Sequence, residues 1–106
     1  MSDKIEFFAK IRWNVDFITE EIEKIPTSQK TKDQVLSICE TISSDVLNNI
    51  GEIADEELIA EIKKQLARFH PLIQKLENND NEKMAFMLLI THVADMLALI
   101  DKEGQK

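Results

Sequence analysis

Apolar residues recur along this chain at alternating spacings of three and four, the interval that lines side chains along one face of an α-helix. Four such stripes follow one another. The first holds Phe8, Ile11, Val15, Ile18, Ile22 and Ile25, flanked by Ile5 and Phe7, and predicts a helix from about Asp3 to Ile25, with Ser2 as N-cap and Pro26 as its stop. The second, Val35, Ile38, Cys39, Ile42, Val46 and Ile50, predicts a helix from Lys32 to about Ile50. Thr31-x-x-Gln34 opens it as a capping box, Leu36 and Leu47 lie on its shoulders, and Asn49 falls inside the stripe, where a polar residue sets register. Gly51 sits where a helix C′ residue belongs.

The third stripe, Ile59, Ile62, Leu66, Phe69, Ile73 and Leu76, predicts a helix from Asp55 to about Glu77. Pro71 interrupts it and removes a backbone donor, so a kink near His70, or a short break, is expected. A turn over 78–81 carries a second capping box, Asn79-x-x-Glu82, into the last helix, which should fray from about Lys102. The core face of that helix is Phe86, Leu89, Val93, Met96 and Ile100, widened by Ile90 and Leu97. Met84, Leu88 and Leu99 form a second apolar set on its other side, so this helix asks to be covered twice.

Four amphipathic helices joined by short loops predict a single all-α domain over residues 1–106, an antiparallel four-helix bundle with its third helix kinked near Pro71. Only two Gly and two Pro interrupt 106 residues, in keeping with long helices. The most apolar stretch, 84–100, is shorter than the roughly 20 residues a membrane span requires and carries His92 and Asp95 near its middle, so no membrane role is expected.

Two aromatic residues break the pattern of the first helix. At 100° per residue Trp13 lies roughly 170° and Phe17 roughly 130° from the centre of the stripe, so both should face outward, four residues apart and in reach of one another. Glu6, Lys10, Glu20 and Lys24 surround them as a charged rim. Trp13, Phe17, Met84, Leu88 and Leu99 are therefore the candidate partner-binding residues. On the second helix the outer face Ser37, Thr41, Ser44 and Asn48 is polar but uncharged and reads as a solvated face.

Formal net charge is −7, and no cluster of Lys or Arg could neutralise several phosphates, which argues against a nucleic-acid partner. Cys39 has no second cysteine to pair with and no basic neighbour, so it reads as a small buried apolar residue in a cytoplasmic protein. The acidic cluster Glu52, Asp55, Glu56, Glu57 and Glu61 is accounted for by the positive end of a helix dipole.

Convergent chemistry is sparse. His92 and Asp95 share one turn of helix, but two ligands do not make a metal site, and neither a metal nor another cofactor is expected. An exposed imidazole on a helical bundle is enough for a phosphoacceptor, with His92 or His70 as the residue, which makes histidine phosphotransfer the alternative function. Glu20-x-x-Glu23 with Glu52-x-x-Asp55 resembles the magnesium-binding pattern of all-α nucleotide pyrophosphohydrolases, although Gly51 divides the second half. The leading expectation is a non-enzymatic regulatory module, of inhibitor, immunity, chaperone or adaptor type, that binds another protein or a second copy of itself through an exposed helix face.

Overall fold

The computed structural model describes residues 2–77 and 80–104, with side chains over 5–75 and 83–103. Every regular element among them is helical: α1 (Ser2–Lys24), α2 (Gln29–Asn49), α3 (Asp55–Leu66), α4 (Phe69–Glu77), α5 (Asp80–Ala85) and α6 (Met87–Gly104). Helix α1 packs between α2 and α6, α2 against α3, and α3 against α6, while the short α4 and α5 adjoin one another.

The first two stripes are buried largely as their periodicity predicts. Phe8, Ile11, Val15, Ile18, Ile22 and Ile25 all lie in the core, joined by Phe7, whose ring meets Phe8 edge-on with centroids 5.2 Å apart. Val35, Ile38, Cys39, Ile42 and Val46 face them from α2. Ile50 does not follow, because α2 ends at Asn49 and leaves Ile50 exposed in the turn. Asn49 is half-buried at this end, and its carbonyl accepts from the backbone N–H groups of both Glu52 and Ile53. Gly51 closes the turn at φ 79°, the left-handed conformation expected of a helix C′ position.

Helix α2 starts three residues earlier than the Thr31 capping box implies. Ser28 is the cap: its Oγ accepts from Thr31 N at 3.2 Å and its carbonyl from Lys32 N at 3.1 Å. A hydroxyl one turn upstream caps the helix in its place by taking Thr31's own N–H, so Thr31 is drawn inside the helix.

Among the described residues six helical segments stand where four helices were expected. The third predicted helix divides at Ala67–Arg68. Pro71 has no N–H to offer the carbonyl four residues earlier, which is Ala67's, and its ring clashes with that carbonyl. Ala67 O instead accepts from His70 N at 3.1 Å, and Arg68 N donates to Gln65 O at 3.0 Å. Both are tight i to i+3 bonds, and the chain turns there before α4 begins. The fourth predicted helix divides at Phe86, where neither Gly nor Pro marks a break.

Burial on α3 also departs from expectation. Leu58, Ile62, Leu66 and, on α4, Phe69 are fully buried, whereas Ile59 and Ile73 are only half-buried. Phe86, at the turn before α6, and Leu89, Val93, Met96 and Ile100 on α6 are all buried, with Ile90 half-buried and Leu97 exposed. Helix α6 keeps its form to Gly104, past the expected fraying point. Leu76 and the Asn79–Glu82 capping box fall outside the described side chains.

Candidate functional site: an aromatic groove between α1 and α6

Helices α1 and α6 pack through their core stripes and leave an open seam on the outer side of that contact. Trp13 and Phe17 from α1 and His92, Asp95 and Leu99 from α6 line a groove of about 550 Å³ there. Trp13 is 72% exposed and Phe17 38%, as the helix geometry of the first stripe requires. Lys10 and Lys102 flank the aromatic walls, and Ala98 completes the lining from α6.

One polar relay fixes the groove's histidine. Asn14 Nδ2 donates to Lys10 O at 2.9 Å, which turns its Oδ1 towards α6, and that oxygen lies 2.8 Å from His92 Nδ1. An amide oxygen only accepts, so Nδ1 carries the proton and, in the neutral imidazole, Nε2 is left as the acceptor. Phe17 packs beside the same ring, centroids 4.4 Å apart and planes tilted by 36°. The imidazole is thus held from one side by a hydrogen bond and from another by an aromatic ring, with Asp95 one turn along α6.

Of the five residues singled out as a partner surface, the structure brings together three: Trp13, Phe17 and Leu99. Leu88 is 55% exposed on the same helix but outside the groove, and Met84, 73% exposed, sits on α5 beyond the turn at Phe86. Asn14 was not legible as a site residue. Its position beside Trp13 and one turn after Lys10 was the available signal, but its partner lies on a helix at the other end of the chain.

His70 is exposed on α4 beside a smaller cavity of about 290 Å³ at the helix break, where Leu66, Phe69 and Ile73 face Val93 and Leu97. It has no counterpart to the Asn14 relay among the hydrogen bonds of the described residues. The polar face of α2 satisfies itself locally: Thr41 Oγ1 donates to Ser37 O, and Asn48 Nδ2 to Ser44 Oγ.

A third depression, about 400 Å³, lies between α1 and α2 over Thr19, Cys39 and Leu47. Burial pushes the Cys39 thiol up to about 11, opposed by a hydrogen bond with Thr19 and reinforced by the charges of Asp16 and Glu40. That thiol stays protonated at neutral pH and is a poor nucleophile. Asp45, half-buried on α2, has its Oδ2 shielded with no hydrogen-bond partner, and its carboxyl titrates above the ordinary value of 3.8 through burial and the charge of Glu61.

Glu52 lies in the turn after α2 while Asp55 is the first residue of α3, so the two do not share a helix as the pyrophosphohydrolase pattern requires. Asp55, Glu56 and Glu57 form the first turn of α3, whose N-cap, Ala54, supplies no side-chain hydrogen bond, so these acids complement an otherwise uncapped helix end. Among the described residues no group of three or more His, Cys, Asp or Glu side chains could hold a metal ion, and no helix is long and apolar enough to cross a membrane.

The class that fold and site define is an all-helical protein carrying one open aromatic groove on the seam of its first and last long helices. Compared with known proteins, the chain matches no family, no curated protein and no solved structure.

Proposed function

We propose that this chain is a small, non-enzymatic cytoplasmic four-helix bundle of regulatory type that acts by binding a protein, another one or a second copy of itself, on the α1–α6 face. The observation that carries this function is the outward pair Trp13 and Phe17, gathered with Leu99 into one groove. Aromatic side chains set in a charged rim are the usual anchors of protein interfaces, because they bury large area at small entropic cost. Inhibitor, immunity, chaperone and adaptor roles all use such a surface. A photo-crosslinking residue placed at position 13 in cells should capture a discrete protein product that the same residue at Lys64, exposed on α3, does not. Equal labelling at both positions, or none at 13, would refute a binding role for this face.

The Asn14 relay favours one further function, phosphotransfer through His92 rather than His70. With Nδ1 engaged, Nε2 is the nitrogen able to attack a phosphoryl donor, forming the N–P bond as the donor's bond to phosphorus breaks. Incubation with acyl-phosphate donors should then give an acid-labile phosphate that disappears in His92→Gln and persists in His70→Gln. An unphosphorylated chain rules this function out.

A further inference from the structure

We infer that the occupant of the α1–α6 face is a second copy of this chain, which rests on that face being a protein-binding surface. The charges of the groove carry the inference first. Lys10 from α1 and Lys102 and Asp95 from α6 all line it, so the face carries both signs of charge. A uniformly basic partner would meet both lysines, and a uniformly acidic one would meet Asp95 on a chain of net charge −7. A twofold-related copy meets neither penalty, because it offers lysines to Asp95 and a carboxylate to the lysines, each contact being made twice. Lys10 is free to exchange partners: its pair with Glu6, at 3.5 Å, is an exposed i to i+4 contact of little energetic weight.

Size supplies the second argument. The molecule measures 43 by 25 by 19 Å, so the outline of one long side is roughly 800 to 1,100 Å², and a standard stable interface, which takes about 800 Å² from each partner, would use most of that side. The apolar anchors continue beyond the groove along α6. Leu88, His92, Asp95 and Leu99 fall within an arc of about 60° on that helix, so the exposed Leu88 extends the patch that Trp13, Phe17 and Leu99 begin. The repulsion between two acidic copies is screened beyond about 8 Å at physiological salt, which leaves the short-range pairs to set the register.

Sedimentation equilibrium of the full chain, from micromolar to millimolar concentration, tests this directly. The expected result is a reversible monomer–dimer equilibrium that Trp13→Ala weakens by about thirty-fold, the loss typical of a central aromatic anchor. Asp95→Lys alone, and Lys10→Glu with Lys102→Glu, should each abolish self-association while keeping the helical circular dichroism of the parent. Mixed together, those two variants should associate with one another as a heterodimer. A chain that stays monomeric at millimolar concentration, or a dimer indifferent to all these substitutions, overturns the inference. Trp13 is the only tryptophan, so its fluorescence then separates the two levels of failure. In such a monomer, full quenching by acrylamide removes only the second copy and leaves the face open to a different protein, whereas a shielded indole removes the binding face as well.

Discussion

Asn14 and His92, seventy-eight residues apart in the chain, are joined by a 2.8 Å hydrogen bond that spans the seam between α1 and α6. The amide is oriented by its own bond to Lys10 O, so the direction of the link is set: His92 Nδ1 donates and Asn14 Oδ1 accepts. The neutral side chain should therefore be the Nδ1–H tautomer, which the nitrogen shifts of His92 in an NMR spectrum will report. Asn14→Ala should shift the balance towards Nε2–H and cost about 1 kcal/mol of stability, the ordinary worth of a hydrogen bond in a half-buried position. An unchanged tautomer in the variant would show that the relay does not hold the ring.

On α3 the structure makes a choice that can be measured. Leu58 is fully buried and Ile59 only half so, although Leu58 lies about 60° and Ile59 about 40° from the centre of the stripe through Ile62 and Leu66, on opposite sides of it. Leu58→Ala should cost about 3 kcal/mol in chemical denaturation, within the range for a truncated core leucine. Ile59→Ala should cost less than half of that. Equal losses would mean that α3 sits rotated from the orientation described above.

Asp45 should make stability depend on pH in a definite direction. Its folded carboxyl titrates above 3.8, so between that value and its raised folded one the native chain holds more protons than the unfolded chain. Stability is then lost as pH rises through that window, and at neutral pH the charged form is a burden. Asp45→Asn should raise the melting temperature at pH 7, by an amount that shrinks to nothing below pH 3.8. A melting temperature lowered at pH 7 would refute the unpartnered Oδ2 as a source of instability.

The Cys39 thiol, at about 11, is protonated throughout the physiological range and buried against α1. Alkylation by iodoacetamide at pH 8 should accordingly be slow for the folded chain and rapid once denaturant exposes the thiol. Modification of the native protein at the rate of a free cysteine would show that the α1–α2 contact opens readily.

Much of the architecture was legible in the chain itself. The three-four rhythm of apolar residues specified helices and chose the buried side of the first, second and last of them, because a helix can bury only the face on which its apolar side chains align. It also placed Trp13 and Phe17 outward, since their angle from the stripe is a property of helix geometry alone. Gly51 and Pro71 announced a helix end and a disruption for equally local reasons, a left-handed backbone and a missing donor.

What only the tertiary structure decided depends on contacts between distant segments. Leu58 over Ile59 is one case, because two residues flanking one stripe are equivalent until neighbouring helices close over one of them. The break at Phe86, beside no Gly or Pro, is another. The groove is the third and the one on which the proposed function rests: Trp13, Phe17, His92, Asp95 and Leu99 were separate features of two helices, and the packing of α1 against α6 made them one surface. Periodicity states which way a side chain faces from its own axis. It carries no information on which other axis lies beside it, and that is where Asn14 acquires His92 as its partner.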